Sequence, residues 1–369
     1  MEIYCSKNDL VNSVNIVSKA VPSRTTMTIL ECILITVSNG KVTLTSNDTE
    51  IGIETELKGD IKENGIVAID AKLFSDVVRK LPDGIVHIKS NSDNIVNIHC
   101  EKAKFSIAGK DGNEFPYLED VEKNDFITVS QFTLKEVIRQ TIFSIAQNEN
   151  NKIMTGELFD IDGNTLRVIS LDGHRISIRK IELRQNYPSL KVIVPGKTLN
   201  EISKILSGEI EKVVNVYFTN TNIVFEFDNT VVVSRLIEGE YFNVDQMISN
   251  EYATKISINK KDLSDCIDRA TLLVRENDKK PVIININDES LELKINSPIG
   301  AMDESISIDK EGSDLMIGFN PRFLLDAIRV IDDEKVDIYF MNAKAPCYIK
   351  DNAGKYNYMI LPINFNTVG

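Results

Sequence analysis

The chain of 369 residues carries 42 basic and 55 acidic side chains, a net charge of −13, with 42% hydrophobic content. That apolar content supplies two or three ordinary cores, while the acidic balance taken alone argues against a nucleic-acid partner. Five scattered cysteines match neither a disulfide framework nor a zinc site, no apolar run nears the length of a membrane span, and the alternating start Met1-Glu2-Ile3-Tyr4-Cys5 has no basic leader. The expectation is an untargeted cytoplasmic protein with no metal and no cofactor.

Read in chain order, the elements repeat. A strand at Glu2-Ile3-Tyr4-Cys5 leads into a helix from Asp9 to Val17; the same pair returns as Phe126-Ile127-Thr128-Val129 with Leu134 to Ile142, and again as Lys255-Ile256-Ser257-Ile258 with Asp262 to Leu273. Turn signals flanked by alternating apolar residues follow each time: Asn39-Gly40, Asp162-Gly163 and Asn287-Asp288. A second helix in each unit aligns without gaps at a spacing of 125 residues, relating Phe74, Leu199 and Leu324, then Lys72, Lys197 and Arg322, then Asp76, Glu201 and Asp326. The chain therefore reads as a triplication with domains 1–124, 125–252 and 253–369. Most strands alternate, as in Val42-Thr43-Leu44-Thr45 and Ile223-Val224-Phe225-Glu226-Phe227, the mark of antiparallel sheet with one wet face. The fold class is α+β, three similar domains of antiparallel sheet with two helices each.

Near the middle, Val168 to Ser177 reads as two strands joined at Asp172-Gly173, with His174 and Arg175 at the turn exit. Three readings stay open here: a structural turn, the rim of a binding pocket, or a catalytic Asp172/His174 pair. No nucleophile elbow, metal-ligand spacing or phosphate loop accompanies the histidine.

Charge is sorted by element. The six helical segments total +7 in a chain of −13. Lys72, Lys197 and Arg322 each fall in the first turn of a helix, where the dipole disfavours a cation. A nearby anion is one reading of that placement; a solvated helix face is the other.

The triplicated units, with Asp172-Gly173-His174-Arg175, Ile193-Val194-Pro195-Gly196-Lys197, Asn113-Glu114-Phe115-Pro116, Leu236-Ile237-Glu238-Gly239 and Met359-Ile360-Leu361-Pro362-Ile363, resemble the bacterial DNA polymerase III β subunit family, the DNA sliding clamps, over the whole chain. The resemblance implies a head-to-tail homodimer closing a six-domain ring, sheets outside and helices lining a hole for double-stranded DNA, with no catalysis of its own. It implies DNA contacts at Arg24 and Lys197 and a polar position at Asn148; charge placement adds Lys72, Arg79, Lys80, Lys152 and Arg322. Such contacts would be diffuse and sequence-independent.

The resemblance also implies a pocket between the second and third domains for short peptides of the replicative polymerase, the clamp loader and repair proteins. Its lining would come from Met154, Leu171, Gly173, His174, Arg175 and Ile176, from Phe242, Gln246 and Met247, and from Pro346, Met359, Leu361, Pro362 and Ile363. By periodicity alone these apolar positions are equally ordinary core. Three positions depart from the family pattern: Phe242 stands for a proline, and Gln246 and Asn151 for arginines. The tail also runs on from Asn364 to Gly369. Ring closure would use Phe105 and Ile107 against Leu272 and Leu273. A protein-only acidic scaffold is the remaining alternative.

Overall fold

A computed structural model describes residues 1–116, 121–123, 126–147, 151–274, 280–351 and 353–365. Six α-helices are present among them: α1 Lys7–Val17, α2 Ala71–Lys80, α3 Gln131–Thr141, α4 Gly196–Ile205, α5 Lys260–Thr271 and α6 Pro321–Arg329. The starts of α2, α4 and α6 keep the 125-residue step seen in the sequence. Local chemistry sets several of these starts. The Asp70 carboxylate accepts from the Leu73 N–H at 2.7 Å, the Ser6 hydroxyl from the Asp9 N–H at 3.1 Å, and Asn320 from the Arg322 N–H at 3.0 Å with Pro321 in the first turn. Each satisfies a backbone donor that the helix leaves unpaired.

The chain divides into two compact units whose limits cut across the repeats: Met1–Lys135 with Lys197–Leu236, and Glu136–Gly196 with Ile237–Gly369. In the first unit an eight-stranded antiparallel sheet joins two repeats, because Thr230–Arg235 pairs with Ile51–Leu57 and sets Val232 opposite Ile53. A five-stranded sheet in the same unit ends on Ala103–Ala108. In the second unit a seven-stranded sheet does the same for the next two repeats, pairing Arg175–Pro195 with Tyr356–Ile360 so that Ser177 faces Tyr358. Its four-stranded companion ends on Gly300–Ser307.

Two of the three turn signals connect separate strands: Asn39 and Gly40 both have positive φ (52° and 75°), the geometry that fits a two-residue hairpin. Asp162-Gly163 instead lies at a break of register inside the strand Gly156–Leu171. All five cysteines are free and buried. No helix among the described residues is long and apolar enough to cross a membrane.

The seven-stranded sheet is apolar on both faces. On the helix side, Ile338, Ile349, Tyr358 and Ile360 join Leu263, Ile267, Leu324 and Ile328 of α5 and α6 in one buried cluster. The opposite face builds a second cluster from the residues between them.

Candidate functional site

The second cluster follows from strand alternation. Ile176 and Ile178 point away from the helices, as do Tyr348 and Met359, and Leu158, Ile169, Leu171 and Ile193 join them. Among the described residues no α-helix covers this face; an irregular strap does. Ile237 packs here after donating its N–H to the Ile193 carbonyl at 2.9 Å, and Tyr241, Phe242, Val244 and Ile248 follow it across the sheet. Three polar fixings hold the strap. The Tyr241 hydroxyl donates to the Ile169 carbonyl at 3.3 Å, Arg167 pairs with Asp245 at 2.6 Å, and the Ser249 N–H donates to the Tyr348 hydroxyl at 3.2 Å. The Arg167 guanidinium beside Asp245 holds its carboxyl below the usual carboxylate range.

Beside the strap apolar surface stays open: Met247 is 45% and Leu361 36% exposed. Met154 and Phe242 are half-buried against the cluster, Leu171, Ile176 and Met359 form its floor, and Pro346, Pro362 and Ile363 are half-buried. Gly173, His174 and Gln246 are exposed. The Leu361 N–H donates to the His174 carbonyl at 2.9 Å, which ties the last strand's exit to the Asp172 turn.

Arg175 behaves differently from its neighbours. Alternation turns it to the helix side, where it is buried, pairs with Asp172 at 3.0 Å and with Asp326 of α6 at 2.7 Å, donates to the Phe143 carbonyl, and lies 4.4 Å from the Phe323 ring. It supports the turn from beneath. Asp172 accepts the His174 and Arg175 N–H groups with one oxygen and Arg175 Nε with the other, while the His174 ring lies 6.0 Å from Phe323. The carboxylate is thus engaged by the turn amides and Arg175.

The basic candidates fall in both units. In the first, Arg24, Lys72, Arg79 and Lys80 are exposed, with Arg79 Nε donating to the Ser75 carbonyl at 3.2 Å. Lys197 is ion-paired with Asp48, whose carboxylate also accepts the Glu50 and Ile51 N–H groups. An anion does stand beside this first-turn lysine, and the chain itself supplies it. In the second unit Lys152 and Arg322 are exposed. Asn148 lies outside the described residues.

Of the ring-closing candidates, Phe105 is 38% exposed on the end strand and Leu272 is 76% exposed just past α5. Ile107 is buried in its own sheet opposite Val96, and Leu273 packs against the helix-side cluster. Two residues apart on one strand, Phe105 and Ile107 share a face, opposite Ile98 and Val96, and solvent reaches the Phe105 end of it.

Sequence reasoning passed over Tyr348, Tyr241, Val244 and Ile248, which build the cluster. The signal available was the run Cys347-Tyr348-Ile349, apolar on both faces where a half-wet strand would alternate.

Family models for the N-terminal, central and C-terminal domains of the DNA polymerase III beta subunit match residues 1–119, 128–243 and 245–364 in turn. The chain belongs to that family. The beta sliding clamp of Bacillus subtilis (strain 168) is 35% identical over 98% of this chain and 99% of its own length, and that of Staphylococcus aureus (strain N315) is 32% identical over 98% and 99%. Among solved structures, a putative DNA polymerase III beta subunit from Eubacterium rectale ATCC 33656 is 62% identical, covers 99% of this chain and 100% of that one, and has a TM-score of 0.95. The sliding clamp from Bacillus subtilis is 34% identical at the same coverage, with a TM-score of 0.94. A clamp from Pseudomonas aeruginosa bound to griselimycin shares the fold at 22% identity and a TM-score of 0.93.

Proposed function

We propose that this clamp works as a homodimeric ring that encircles duplex DNA, slides without reading sequence, and tethers the replicative polymerase, the clamp loader and repair proteins by their short peptides. The observation that carries this reading is a pair of unmatched sheet edges. The last strands of the three repeats are Ala103–Ala108, Thr230–Arg235 and Tyr356–Ile360. The second and third of these pair with the strand that leaves the hairpin turn of the preceding repeat. Ala103–Ala108 and Gly300–Ser307, the corresponding strands of the first and third repeats, have no such partner among the described residues. Both are end strands. A second copy completes both edges by a heterologous contact that closes under rotation. Aligning the turn pairs Cys100↔Ala103 with Phe227↔Thr230, and Ser297↔Gly300 with Asn47↔Gly52, favours a register that brings Phe105 opposite Ala301 of the partner subunit.

A sliding tether needs phosphate attraction without base contacts, so exposed cations on helices within an acidic chain fit the task. Arg24, Lys72, Arg79, Lys80, Lys152, Lys197 and Arg322 are the assigned contacts. Lys80 and Lys152 are the cleaner probes, because changing Lys197 also breaks its pair with Asp48 and changing Arg79 its pair with Asp76. Replacing either by alanine should lower the salt slope of DNA retention by about one; an unchanged slope removes that residue from the contact set.

The strap-covered cluster serves as the peptide pocket. Met154, Met247 and Met359 give it unbranched, polarizable walls that repack around different ligands. The protein acts in the cytoplasm as a non-catalytic subunit. Solution mass with small-angle scattering tests the reading: a particle of twice 41.5 kDa whose distance distribution demands a central hole supports it, and Leu272→Asp, at an exposed side chain, should then yield folded monomers. A compact monomer from the unaltered chain overturns it in favour of a protein-binding scaffold.

A further inference from the structure

The two repeat junctions inside the chain share a device that the ring-closing junction lacks. At the first, the Asp48 turn is ion-paired with Lys197 in the opening turn of α4. At the second, Arg175 leaves the Asp172 turn to pair with Asp326 of α6 at 2.7 Å and lies 4.4 Å from the Phe323 ring. In both, a hairpin turn meets the first two turns of the following repeat's second helix, and opposite charges join them. The sign is reversed between the two, so the geometry is shared while the polarity is not.

The corresponding elements of the third junction are the turn Ser297-Pro298-Ile299-Gly300 and the first turns of α2, with Lys72, Leu73 and Asp76. The turn has no charged side chain. Ile299 is 50% and Leu73 47% exposed. Leu73 holds the position of Thr198 and Phe323 in the 125-residue repeat, and Ile299 that of Ile51 and Arg175. Ile51 is 1% exposed where its junction is made, so a side chain at this position becomes buried once a neighbouring repeat arrives.

Resting on the ring reading above, we infer that the subunit boundary is closed by an uncharged latch, Leu73 against the partner subunit's Ile299, in place of the ion pair that closes the two internal junctions. Two such latches form per ring, and Lys72 flanks each one. The surface is specific for a second copy of this chain, because only a following repeat presents the second helix in the required place.

A double-mutant cycle on dimer dissociation, read by sedimentation at nanomolar to micromolar concentration with the full chain, tests this. Leu73→Ala and Ile299→Ala should each raise the dimer Kd about tenfold, and the double variant should fall short of the product of the two effects by about threefold or more. Ile299→Lys should weaken the dimer less than Ile299→Asp, since the lysine stands where Arg175 meets Asp326 and Asp76 holds the place of Asp326 in α2, and high salt should close that gap. Both residues are exposed in the single chain, so unfolding midpoints of the dissociated variants should match the parent. Additive effects, or lysine and aspartate variants of equal affinity, overturn the latch while a persisting dimer leaves the ring standing. An unaltered chain that never dimerises overturns the ring as well.

Discussion

The two faces of the seven-stranded sheet are built from neighbouring residues of the same strands, yet they are closed in different ways. Beneath, Cys347, Ile349, Tyr358 and Ile360 are covered by α5 and α6 and retain at most 1% of their surface. Above, Tyr348 and Met359 lie under a strap with no regular hydrogen-bonded structure beyond the short turn Val244–Gln246, and Met247 and Leu361 remain open beside it. A helix brings its own backbone bonds and a rigid apolar stripe. The strap relies on single contacts such as Arg167 to Asp245, so the upper face can yield to a ligand while the lower face holds the sheet in shape. The open apolar surface thus lies where the cover is weakest.

The largest effects should come from the lower face. Ile360→Ala should cost about 2–5 kcal/mol of unfolding free energy in denaturant titration, since the helices above it collapse only partly into the gap. Partner-peptide affinity per folded molecule should stay near the parent value; a large loss of affinity would mean that the faces are not independent.

Next comes the polar exception on the same strand network. Glu157 is wholly buried, neither carboxylate oxygen has a hydrogen-bond partner among the described residues, and the adjacent Thr141 hydroxyl donates to the Val137 carbonyl at 2.8 Å. Burial pushes its carboxyl up to about 8 from 4.5. The folded protein keeps this proton while the unfolded chain releases it, so this group's contribution is constant below about pH 4.5. Stability then falls as pH rises toward 8, by about 1.4 kcal/mol per unit. Glu157→Gln should remove that slope and raise the unfolding midpoint at pH 8 more than at pH 5. Equal shifts at both pH values would show the carboxylate to be solvated.

On the upper face, Met247→Ala or Leu361→Ala should weaken binding of a clamp-binding peptide about tenfold by calorimetry while changing stability by less than about 1 kcal/mol. A loss of fold without a loss of affinity would reverse the comparison. The smallest effect belongs to Asp245→Asn: the exposed pair with Arg167 contributes under about 1 kcal/mol to stability. Faster hydrogen exchange confined to residues 241–248 is the expected readout, and unchanged exchange there would show that packing alone holds the strap.

How legible this was depended on whether the signal was local. The 125-residue step put Lys72, Lys197 and Arg322 on equivalent helices, and caps such as Asp70 and Asn320 mark starts that the structure keeps. The roles of Arg175 and Lys197 depend on Asp326 and Asp48, each about 150 residues away in the chain, and no pattern near either cation announces its partner. Leu171, Ile176 and Met359 could not be told from ordinary core because a strand buried on both faces has no wet side to betray its orientation. The strap escaped notice for the opposite reason. Ile237 to Ile248 has neither helical nor strand periodicity, and its apolar residues acquire meaning only when laid across the sheet.

The central claim is topological and is tested most directly by the way the protein leaves DNA. Loaded by a bacterial clamp loader and ATP onto nicked circular duplex, then washed at high salt, the protein should remain on the circle and fall off once a restriction enzyme linearises it. Equal retention on circular and linear DNA, or equal loss from both, would contradict a ring around the duplex.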